Sequence, residues 1–148
     1  MLIMNNMTIR IVLTTITVLW MVLIFCFSSS PIDESTELSD SLIDNTVVQL
    51  VKMFDKKAKT KKIVEMFSMP VRKLAHFTEY LILGMLVFLT LKSYGIEDYS
   101  FAIVACILYA TTDEIHQYFV PGRACKALDV LIDSLGSCTG VFLLSLFK

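Results

Sequence analysis

The stretch "ATTDEIHQYFVPGRACKALDVLIDSLG", residues 110–136, decides how the chain folds. It sets Asp113, Glu114, His116 and Gln117 side by side, turns through Pro121 and Gly122, then places Asp129 and Asp133 four apart on a new apolar run. The flanking stretches, "YSFAIVACILYATT" before it and "VFLLSLF" after it, have the composition of lipid-facing helices. Over the whole chain, 55% of the 148 residues are hydrophobic and 18% charged, with a mean hydropathy of +0.69. That is too apolar for a soluble domain of this size, and the length suits one domain. The acids therefore belong to a polar layer at or within a membrane.

A helix needs about 20 largely apolar residues to cross a bilayer. Three runs qualify directly: 9–27, with no charge after Arg10, then 72–92 and 128–147. The run from Ser100 to Thr112 is too short, so its helix must continue through Asp113–Gln117 to Phe119. The expected fold is all-α, an integral membrane bundle of four transmembrane helices (9–27, 72–92, 100–119, 128–147) in one domain. A partly helical polar loop, 28–71, joins helices one and two. A cleavable signal peptide is disfavoured for the first run, since no small-x-small site follows promptly and the basic start is weak. Within the loop, Pro31 stops the first helix, and Leu38, Leu42, Ile43, Val47, Leu50 and Phe54 recur at helical spacing, predicting an amphipathic helix over 36–54. "DKKAKTKK", 55–62, reads as a solvated basic turn, and Pro70 suits the first turn of helix two.

Connectivity gathers the charges. Helix two carries Arg72, Lys73, His76 and Glu79 in its first turns, and short connections make helices three and four antiparallel neighbours. Every ionisable residue inside a span then falls in one layer on one side. Arg72, His76 and Glu79 share a helical stripe, with Lys73, His76 and Tyr80 beside it; Asp113 shares a face with His116 and Gln117. Asp129, Asp133, Gly136 and Gly140 form one stripe of helix four, and the glycine pair permits close helix approach. Charges facing lipid are costly, so the stripes should face one another around a polar pocket closed below by small residues. The plain alternative is a salt-bridge network in which Arg72, Lys73, Arg123 and Lys126 balance Glu79, Asp113, Glu114, Asp129 and Asp133. Function is placed ahead of glue because intramembrane ionisable residues mark sites by default. Glu114, one position off the Asp113 face, is expected to be the least constrained by pairing.

"RKLAHFTEYLILG" (72–84) with "DEIHQYFVPGRACKALDVLIDSLG" (113–136) resembles the VanZ-like family of bacterial membrane proteins, and "FSSSP" (27–31) fits its style. The resemblance runs from about Phe25 to Gly140. It rests on Arg72, Lys73, His76, Glu79, Tyr80, Asp113, Glu114, His116, Gln117, Pro121, Gly122, Arg123, Asp129 and Gly136. Asp133 departs from the pattern, where the family often has Asn, and Cys125 and Lys126 stand where small polar residues are usual. The resemblance implies a multi-pass protein of the bacterial cell membrane. It also implies an accessory role in glycopeptide (teicoplanin-type) resistance or cell-envelope homeostasis.

The count of Lys and Arg would put 28–73 in the cytoplasm. The resemblance implies cytoplasmic termini instead, and with them a pocket that faces outward; this second reading is adopted. Three chemistries are weighed for the pocket. First comes binding of an anionic cell-wall precursor, lipid headgroup or glycopeptide by Arg72, Lys73 and Arg123, positioned by His76, Glu79, Tyr80, Asp113, Glu114, His116, Gln117, Asp129 and Asp133. Second is an intramembrane enzyme acting on a lipid-linked substrate, with His76 or His116 as general base beside Glu79 or Asp113, and Glu114 as a further candidate. A metal held by His76-x-x-Glu79 and Asp113-x-x-His116 ranks third, and neither metal nor cofactor is assigned. Membrane lipids are the expected partners, and no nucleic-acid module is present. Cys26, Cys106, Cys125 and Cys138 read as free thiols, and Trp20 as a lipid or core contact.

Overall fold

Asn6 to Ser28 contains neither glycine nor proline, and no charge after Arg10, so nothing interrupts α1 (Asn6–Ser28). It is followed by a π-turn, Asp44–Val48, and the short α2 (Gln49–Phe54). The long α3 (Thr60–Ser93), then α4 (Tyr99–Gln117) and α5 (Ala127–Ser145) complete the chain. This computed structural model describes residues 6–31, 37, 40–41, 43–54 and 60–146, and all regular structure among them is helical. Three helices, α1, α3 and α5, are long and apolar enough to cross a membrane. Their outward faces carry exposed residues such as Leu19, Leu89 and Phe142, while acids and serines lie inside. This inverted distribution is that of a membrane protein.

α3 is the central element and packs most extensively on α5. A Cβ added at Gly136 or Gly140 would collide with the carbonyl oxygen of Phe77 or Leu81, and one at Gly84 with that of Ser137. The two backbones therefore touch through glycines contributed by both helices, and Gly84 is a participant that the GxxxG pattern alone does not reveal. On its other side α3 meets α1. Thr17 and Thr90 share a hydrogen bond of 2.8 Å, and Arg10 donates to the Ser93 carbonyl at 2.8 Å while lying 5.3 Å from the centre of the Tyr94 ring. Tyr109 of α4 donates to the Met21 carbonyl at 2.6 Å, which ties α4 to α1.

Two short turns fix the antiparallel order of α3, α4 and α5. Gly95, at φ +87°, lies in the left-handed region that ordinary residues avoid, and Asp98 caps α4 by accepting from the Ser100 N–H at 2.9 Å. The Ser100 hydroxyl, and then its N–H, hold the Asp98 carboxyl below the ordinary range. Gly122, at φ +78°, allows the second turn. Both ends of α4 are thus set locally.

Two sequence expectations change. Helix two was expected to begin near Pro70, but α3 starts at Thr60 with Pro70 inside it. The reason is cover: Ile63 is buried with Ile43 and Val48, and Val64, Phe67 and Val71 pack against them. Asp40 also accepts a hydrogen bond from Ser68, pinning the preceding segment to the same helix. Pro70 and Met66, the residue whose carbonyl loses its partner, both lie on the exposed side. The second change is the face of the amphipathic segment. Val48 is buried at 2% exposure whereas Leu50 is 58% exposed. The π-turn places one extra residue in that turn, so the apolar face passes from Ile43 to Val48 and Val51. Thr36, Leu38 and Leu42, which the expected helix included, lie outside the described residues.

Candidate functional site

The charge layer lies at one end of the bundle, as expected, but it is divided. An open cleft of about 120 Å³ sits at the surface between α3 and the α4–α5 turn. That volume equals roughly four waters at ~30 Å³ each, the size of a small anion or headgroup. Its charged lining is Arg72, Lys73, Arg123 and Lys126 against Glu114 and Asp129, with His76 and Gln117 beside them. Among the described residues, four cations line the cleft with two carboxylates. Lys73 lies 3.6 Å from Asp129, a half-exposed pair worth little in stability. Arg123 is anchored by donating to the backbone carbonyl of Ser30 at 3.0 Å and of Phe27 at 3.3 Å, so its positive charge is not spent on a carboxylate in these bonds. Burial first, and then the like charge of Arg72, push the Arg123 guanidinium below its ordinary value. Arg72 and Arg123 are both cations of the cleft lining, and guanidinium groups suit phosphate and carboxylate.

Glu114 explains the shape of the cleft wall. It is buried at 2% exposure, and its carboxylate accepts the Lys126 N–H at 2.9 Å, where α5 begins. Rather than being the least constrained acid, it clamps the turn. The side chain alone could not reveal this, because its partner is a backbone group twelve residues on. A carboxylate at the start of α5 also complements that helix's dipole.

Beneath the cleft is a sealed polar core. Ser28 of α1 donates to Asp113 Oδ2 at 2.6 Å, and Gln117 Nε2 donates to the same oxygen at 3.2 Å and to Ser28 Oγ at 3.1 Å. Gln117 is the partition, since it also lines the cleft. Tyr80 and Asp133 are buried as well, at 0% and 1% exposure. Asp113, Tyr80 and Asp133 do not reach the cleft. His116 is elsewhere again, 3.1 Å from Ser29 Oγ and stacked on Phe25 with ring centres 4.4 Å apart. Glu79 stands between regions. Its Oε2 is 3.8 Å from His76 Nδ1, and the residue lines a separate groove between α1 and α3.

Of the twelve expected site residues, Arg72, Lys73, His76, Glu114, Gln117, Arg123 and Asp129 share the cleft, and Glu79, Tyr80, Asp113, His116 and Asp133 do not. Helical spacing identifies a face but not which neighbouring helix covers it. Ser28 and Ser29 were missed as partners, although "FSSSP" marked their segment. Among the described residues no group of three or more His, Cys, Asp and Glu is arranged to hold a metal ion, and no ion pair joins Asp113 to His116.

No curated protein and no solved structure matches the chain. The VanZ/LLP1 family model matches residues 13–148, which include all of the bundle except the first turns of α1, and both walls of the cleft. Over nearly its whole length, this membrane protein belongs to the VanZ/LLP1 family.

Proposed function

We propose that the protein binds an anionic ligand of the cell envelope in the cleft lined by Arg72, Lys73, Arg123 and Lys126. In this reading it serves as an accessory factor in glycopeptide resistance or envelope homeostasis at the bacterial cell membrane. The observation that carries this is the excess of cations over carboxylates among the described residues of an open cleft, with Arg123 held by backbone carbonyls. A cleft of about 120 Å³ suits a phosphate or carboxylate group.

Topology supports α4 as a fourth crossing. α3 leaves the charged layer and α5 starts from it, and in this reading α4 returns the chain across the same thickness. With the termini cytoplasmic, the cleft opens at the outer surface. The test is expression of the Arg72→Gln, Arg123→Gln double variant in a bacterial host, with growth on graded teicoplanin and protein measured in the membrane fraction. Lost protection at normal protein level is the expected result. Unchanged protection at normal level would overturn the reading.

One observation favours acid-base chemistry on a lipid-linked substrate as a second reading. His76 lines the cleft and its Nδ1 faces Glu79, the geometry of a base with an acidic neighbour. Turnover by wild type and not by His76→Asn would distinguish it from binding alone.

A further inference from the structure

α1 and α3 are held together at the end away from the charge layer, through Arg10 to Ser93 and Thr17 to Thr90. Toward the charge layer they leave a groove of about 430 Å³, open to the surrounding lipid. Trp20, Leu23 and Phe27 line it from α1, and Leu74, Ala75 and Ile82 from α3. Apart from Glu79, its polar wall residues turn their polar atoms onto backbone carbonyls. Thr78 turns its hydroxyl back to the Leu74 carbonyl at 2.8 Å, and Trp20 spends its N–H on the Glu79 carbonyl at 3.0 Å.

The groove and the basic cleft share a boundary. Phe27 supplies its side chain to the groove and its carbonyl to Arg123 of the cleft. On α3, Glu79 of the groove lies 3.8 Å from His76 of the cleft. A small basic cleft thus adjoins an apolar groove in the range of ligand-pocket volumes. Charge complementarity selects what can occupy both: a molecule with an anionic head and a hydrocarbon tail.

We propose that the cleft and the α1–α3 groove are two halves of one lipid site, taking the phosphate headgroup of an anionic lipid in the cleft and one of its hydrocarbon chains in the groove. This rests on the anion-binding reading of the cleft and adds the chain. The groove's share of the site is apolar contact, and Arg72 and Arg123 supply the preference for a negatively charged head. Lipids with a neutral or zwitterionic head pass over the groove without being retained.

The chain contains one tryptophan, and it stands in the groove wall, so it reports on the occupant directly. The experiment uses the full-length protein in phosphatidylcholine nanodiscs doped with phosphatidic acid carrying brominated chains, or with phosphatidylcholine carrying the same chains. Brominated phosphatidic acid is expected to half-quench Trp20 at a roughly tenfold lower mole fraction than brominated phosphatidylcholine. Arg72→Gln with Arg123→Gln should erase that difference. Ala75→Phe, an exposed position where the new ring fills the groove, should erase it too. Binding of glycerol 3-phosphate to the wild-type protein is measured in parallel by calorimetry. Equal quenching by the two lipids together with glycerol 3-phosphate binding would overturn the lipid site and leave the anion cleft standing. Equal quenching without glycerol 3-phosphate binding would overturn both.

Discussion

The two sides of α3 obey opposite packing rules. Against α5 it is seated backbone on backbone, with Gly84, Gly136 and Gly140 leaving no room for a Cβ. Against α1 it is joined at one end by Arg10 and Thr17, and toward the other a groove opens that is bridged by the Trp20 N–H to the Glu79 carbonyl. In lipid there is no hydrophobic force to press helices together, so the tight side depends on small residues and the open side on individual polar bonds. The tight side builds the scaffold. The open side leaves an apolar groove beside the cleft where the cations collect.

The largest effect should come from breaking the tight side. Gly140→Leu must push α5 away from the Leu81 carbonyl and should cost about 3 kcal/mol or more, read as lost folded protein in the membrane fraction and a lowered melting temperature. Normal folding of this variant would dissolve the contrast between the two sides. Next is Ser28→Ala, which removes a hydrogen from buried Asp113 and should cost about 1–3 kcal/mol in thermal unfolding. Glutamine in place of Glu114 keeps an oxygen for the Lys126 N–H, so Glu114→Gln should cost about 1 kcal/mol or less, whereas Glu114→Ala should cost about 1–3 kcal/mol. Equal losses from the two variants would show that the negative charge, not the hydrogen bond, holds the turn. The smallest effect is expected from Lys73→Gln at the rim of the cleft, where α3 meets the start of α5. It breaks the half-exposed contact with Asp129 and should change stability by less than about 1 kcal/mol, seen as an unshifted melting curve.

The charge layer and the glycine stripe were legible in the sequence because both follow from helical period and short connections. What was not legible depended on partners. Asp113, Glu114 and Asp129 read alike as acids, yet one is sealed by Ser28 and Gln117, one clamps a backbone N–H, and one borders an open cleft. Their fates are decided by which helix lies opposite, and spacing along a single helix carries no such information. Pro70 was read as a helix start from its local preference, and the cover over Ile63 overrode it. Likewise Leu50 was placed on the buried face by a 3.6-residue period that the π-turn at Asp44–Val48 does not keep.

One mechanical consequence follows from the length of α3. Thirty-four residues at 1.5 Å each make a rod of about 51 Å, against a hydrocarbon layer of about 30 Å. The surplus turns form a mast that begins at Thr60 and is braced by Ile43 and Val48. No loop separates that mast from Arg72 and Lys73. Its only soft joint is the hydrogen bond missing at Pro70, just before them. A sideways pull on the mast is therefore delivered as a tilt at the two cations, with the glycine seam further along acting as the fixed bearing.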